Sequence, residues 1–187
     1  MIKTYNKIND VEIQLLKGFI GRKLKNIKHD PFIFTPTSYG VVYLTIDDLL
    51  YSITDFYESV KCLDFIEDMS VLKINDNITE VKSYLKDTKP ITENINQKIN
   101  SISVINGKSS IKENNESFSF EDTYGIIFTL EDDYQIAFEK DDFGESITIY
   151  RGYNLFEKFK YLKDDFEKEA YDISFNPSFE FDIINLK

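Results

Sequence analysis

A single cysteine among 187 residues excludes an internal disulfide and any chemistry that needs a thiol pair within one chain. Cys62 is therefore read as a reduced, buried strand side chain. A single histidine, His29, excludes sites built on two or more imidazoles, and its place before Pro31 suggests an ordinary exposed loop residue. Seven glycines are too few to supply a phosphate loop, and neither the dinucleotide fingerprint nor the P-loop pattern occurs. No run nears the roughly 18 apolar residues of a spanning helix. The N-terminus also lacks an apolar core followed by small residues, so a soluble, cytoplasmic protein is expected.

What is present suits a packed interior, with 42% hydrophobic and 15% aromatic residues. The chain also resembles itself. "SYGVVYLTIDD" at 38–48 answers "TYGIIFTLEDD" at 123–133, and "DFYESV" at 55–60 answers "DFGESI" at 142–147. Upstream, "KLKNI" at 23–27 faces "KINSI" at 98–102. Gly21 and Asn96, at matching positions before these pairs, are types that tolerate a left-handed helix cap.

Periodicity predicts a helix opening each half. Val11, Leu15, Leu16 and Phe19 recur at helical spacing after Asn9, and Ile91 and Ile95 follow Thr88 and Pro90. Alternation in "YGIIFTL" and "YQIAFE" around "EDD" predicts a hairpin, with its counterpart around Asp47 and Asp48. "DFYES" and "DFGES" read as second turns. The expectation is an α+β fold: two tandem copies, 1–88 and 89–187, each a helix plus an antiparallel meander of four or five strands. A pseudo-twofold axis would relate them within one globular unit. Residues 65–88 look helical and polar, 154–170 form an amphipathic helix, and 172–184 a final strand.

Net charge is −11, and residues 113–146 concentrate it, with eleven acids against Lys140 alone. Residues 1–28 lean the other way, with seven bases against Asp10 and Glu12. Polar turns that keep the protein soluble would explain such a stretch. A recognition surface explains it too, since a field of this sign steers a basic partner and repels nucleic acid. The candidate contact residues are Glu121, Asp122, Glu131, Asp132, Asp133, Glu139, Asp141, Asp142 and Glu145.

Catalytic and metal-binding signatures are weak. "HD" at 29–30 resembles the metal-binding dipeptide of HD phosphohydrolases, a family that needs further histidines. "EDD" and "KDDFGE" lack the ligand spacing of an EF-hand, and "EVK" at 80–82 lacks the strand context of a nuclease site. The expectation is thus a non-enzymatic acidic protein, without cofactor or metal, that neutralises a basic protein partner through 113–146. A bacterial immunity protein paired with a toxin is the leading example. Alternatives are a phage or mobile-element inhibitor that mimics DNA, an enzyme with an unrecognised carboxylate site, and an oligomerising structural component.

Overall fold

The computed structural model describes residues 2–62, 65–113, 116–141, 144–169 and 177–187. One predicted helix opens the chain as expected. The Asn9 side chain accepts hydrogen bonds from Val11 N and Glu12 N, the Glu12 carboxylate accepts one from Asn9 N, and this capping box starts α1 (Asp10–Lys17). Strand β1 (Ile2–Asn6) precedes it.

Antiparallel sheet dominates the rest. The first meander is β2 (Lys23–His29), β4 (Val41–Ile46), β5 (Leu49–Cys62) and β6 (Phe65–Asn75), with short β3 (Thr37–Tyr39) leading into β4. The second is β7 (Ile91–Glu113), β8 (Glu116–Leu130), β9 (Gln135–Lys140) and β10 (Ser146–Gly152). The order is β3-β10-β9-β8-β7-β2-β4-β5-β6, so the meanders join through β2 and β7. Because β3 pairs with β10 and runs straight into β4, the sheet curls back on itself. Gly40 makes that switch: its N–H bonds to Glu145 O and its carbonyl accepts from Asp55 N, each at 2.8 Å. Its φ of +47° and a Phe56 ring carbon 2.5 Å from where a Cβ would sit both require glycine.

The ladders of the two meanders coincide step by step. Leu24 opposes Ile46, the register shifts, and Asn26 opposes Thr45; likewise Ile99 opposes Leu130, the register shifts, and Ser101 opposes Thr129. Leu44 opposes Tyr51 as Phe128 opposes Ile136, and Ile53 opposes Ile74 as Phe138 opposes Ile149. The structural partner of Leu44 is therefore Phe128, not the Thr129 that the matched letters imply. The second meander absorbs the one-residue difference in its turn, where Glu131–Asp133 stand in place of the two-residue Asp47–Asp48 link. A one-residue slip exchanges sheet faces, and the letter match had put core residues against surface-facing ones.

Between the meanders lies the main core, including Val42, Leu44, Ile53, Leu72, Ile102, Ile126, Phe128, Phe138 and Ile149, with Leu16 and Phe19 following from α1. Outside the second meander a smaller core forms. There Ile105, Tyr124, Ile127, Leu155, Phe159 and Phe179 pack beneath a 3-10 turn (Leu155–Phe159), α2 (Tyr161–Glu169) and β11 (Ser178–Leu186), which pairs with β7. The helix expected over 154–170 is thus a 3-10 turn and an α-helix. The expected final strand is β11, and 172–176 lie outside the described residues.

Three local expectations are corrected. Ile91 and Ile95 sit in β7 rather than a helix, because the strand must reach β2 at one end and β8 at the other. Residues 65–75 form β6, and 76–90 carry no helix. "DFYES" is the middle of β5, paired with β6, whereas Gly144 and Glu145 of "DFGES" form a bend before β10, Asp142 and Phe143 lying outside the described residues. The Cys62 side chain lies outside the described residues. Among the described residues no helix is long and apolar enough to cross a membrane.

Candidate functional site

The candidate contact acids are distributed over both ends and the interior of the second meander. Glu131, Asp132 and Asp133 lie exposed at the β8–β9 tip, where Asp132 and Asp133 adopt φ of 59° and 58°. Aspartate tolerates this left-handed geometry better than most residues. Beside the tip, Tyr134 meets Tyr153 edge-on at 5.6 Å, and Tyr153 is 62% exposed. Glu139, Asp141 and Glu145 stand at the opposite end of β9, about 13 Å away at the rise of a strand. Half-buried Glu121 pairs with Lys7 at 2.7 Å. Half-buried Glu145 accepts from Tyr39 Oη at 2.6 Å and from Tyr57 N at 3.3 Å. Asp142 lies outside the described residues.

Asp122 and Glu139 are interior groups. Asp122 forms an ion pair of 2.5 Å with Lys140, the two side chains being 3% and 2% exposed. Lys140 Nζ also donates to Ser70 O at 3.0 Å, and Asn6 Nδ2 donates both to Ser70 O at 3.0 Å and to Asp122 Oδ1 at 3.1 Å. These bonds cover part of the outer edge of β6, as Glu12 does by accepting from Ile74 N. Next to them, fully buried Asp55 accepts from Ser70 Oγ and from Asp141 N. Burial pushes its carboxyl up to about 7, against the pull of Ser70 and Lys140. In the matched ladders Asp55 opposes Leu72 and Lys140 opposes Ile147, so the two meanders place an acid and a base at corresponding positions.

Glu139 faces the other side of the sheet, on the floor of a cavity of about 400 Å³ beneath α2. Tyr150 Oη donates to one carboxylate oxygen at 2.8 Å and Tyr161 Oη to the other at 3.0 Å. Burial and this bond raise the Tyr150 pKa, which keeps the phenol protonated and donating. Asp141 and Asp165 line the same cavity with Tyr124 and Phe166.

His29 is buried rather than exposed, at 1%. Its Nδ1 bonds to Asp30 O at 2.6 Å, its Nε2 to Glu93 at 2.9 Å, and its ring stacks on Phe32 at 4.6 Å. Arg151 completes the group through Glu93. Burial pushes the Glu93 carboxyl up, but bonds from His29 and Arg151 outweigh it and hold the group below its ordinary value. This cluster ties β2, β7 and β10 together.

Composition alone could have flagged one of these features: Lys140, the sole base in an acidic stretch, is placed as an internal counter-ion would be. Asp55, Tyr150, Tyr161, Glu93 and Arg151 meet their partners only in the tertiary structure. Among the described residues no group of three metal-ligating side chains is found. Comparison with protein-family models, curated proteins and solved structures finds no match for this chain.

Proposed function

We propose that this chain is a non-enzymatic binding protein that neutralises a basic macromolecular partner, as an immunity protein neutralises a toxin. The tip carries the reading: Glu131, Asp132 and Asp133 are exposed on a short, geometrically constrained turn, beside exposed Tyr153. Exposed acids steer a basic partner, and an adjacent tyrosine supplies the aromatic anchor that interfaces favour. The contact surface is thus narrower than the full acidic stretch, since Asp122 and Glu139 are committed inside.

The coincident ladders and paired register shifts support a further reading, that the meanders arose as two copies related by a pseudo-twofold axis near Lys23 and Lys98, which oppose each other. Left-handed φ at both Gly21 and Asn96 supports it as well.

The test is to capture a partner from the source cells, purify it, and measure its affinity for the wild type and for D132N/D133N at two salt concentrations. The double variant should bind at least about ten-fold more weakly and with a flatter salt dependence. Unchanged affinity and slope would remove the tip from the interface and the proposal with it.

A further inference from the structure

The cavity under α2 has a chemistry separate from the acidic tip. Its volume of about 400 Å³ falls within the range of small-ligand sites. At its floor the Glu139 carboxylate, in a residue 4% exposed, is oriented by two phenols, one on each oxygen. Asp141 and Asp165 add negative charge to the lining, and aromatic rings form much of its wall. Among the described lining residues the one cation, Lys140, is paired with Asp122 and donates to Ser70 O. Carboxylates with aromatic faces are the setting in which organic cations bind, through charge attraction and cation–π contact within about 6 Å of a ring. Two rings of this wall already receive cations from the chain: Lys140 Nζ lies 5.6 Å from the Tyr124 centroid, and Lys158 Nζ 5.7 Å from that of Tyr150.

We infer that this cavity binds a small organic cation, an alkylammonium or guanidinium group seated against Glu139 between aromatic walls. An anion would meet three carboxylates. A bare metal ion would find ring carbons over much of the wall, and phenol hydrogens already directed at both Glu139 oxygens. The site lies at the far end of β9 from Asp132 and does not depend on the proposed partner.

Choline and agmatine are the probes, with 3,3-dimethylbutan-1-ol as the uncharged counterpart of choline. Each is titrated into the isotopically labelled full chain and followed by NMR. At least one cation should give saturable shifts at residues of β8–β10 and α2, with at least ten-fold higher affinity than the alcohol. Glu139→Gln should weaken that binding ten-fold or more, while D132N/D133N leaves it unchanged. Should E139Q fail to fold, Asp165→Asn on exposed α2 should weaken it two- to five-fold. Lack of saturation by both cations up to about 10 mM, equal affinity for the alcohol, or indifference to both substitutions would overturn the inference.

Discussion

Replacing Asp55 by asparagine removes an ionisation that burial makes costly. Asp55 is fully buried, and its carboxyl titrates near 7 in the folded chain against an ordinary value of 3.8. The folded state therefore holds a proton there that the unfolded state has lost between those two values, so stability falls as pH rises through the window. At about 1.4 kcal/mol per unit, the loss from pH 4 to pH 7 is about 4 kcal/mol, with no further change above it. Glu93, held below its ordinary value, acts with the opposite sign, its contribution being lost only as pH drops through that lowered value. Asparagine reproduces the protonated acid: its oxygen can accept from Asp141 N while its amide donates to Ser70 Oγ, whose own proton then turns elsewhere. Urea unfolding followed by circular dichroism from pH 4 to 8 should show the variant and the wild type nearly equal at pH 4. At pH 8 the variant should be the more stable by up to about 4 kcal/mol, or about 10 °C in melting temperature. Parallel pH profiles, or a variant weaker than the wild type at pH 8, would refute the assignment.

Three further substitutions probe the same scaffold. Lys140→Met leaves Asp122 charged and buried without its cation and should cost about 3–5 kcal/mol in chemical denaturation, of which adding Asp122→Asn should restore a large part. Gly125→Ala places a Cβ 2.5 Å from Phe138 O and 2.6 Å from the Phe159 ring, and should lower stability by about 3 kcal/mol. Gly21→Ala, strained only by its φ of +83°, should lose about 1 kcal/mol in the same denaturation assay.

Local signals served wherever the decisive contacts were near in sequence. Asn9 and the helical spacing of Val11, Leu15, Leu16 and Phe19 announced α1, the acidic turn at 131–133 announced the β8–β9 hairpin, and the recurrence of Leu155, Phe159, Leu162 and Phe166 announced a helical segment after β10. The repeated phrases pointed to two meanders but misaligned them by one residue. Letter identity followed the "YG" pairs and the acidic turns, whereas strand pairing follows which side chain faces the core. Gly40 and Gly125 show the accident: one permits a strand to change partners, the other admits the Phe138 carbonyl and the Phe159 ring. The missed strands have a common cause. Ile91, Ile95 and the 65–75 segment become strands because β2 and β5 offer long edges that they complete, a demand that local propensity does not contain.

Charge divides in the same way. Composition and charge pattern by themselves determined an acidic chain with a packed core, a capped first helix and a hairpin ending in Glu131–Asp133. Only the tertiary structure decided that Asp122 would answer Lys140, that Asp55 would be desolvated beside Ser70, and that Glu139 would lie under Tyr150 and Tyr161. A carboxylate's role follows from its water and its neighbours, and for these residues both are set by which face of the sheet each occupies and what packs over that face.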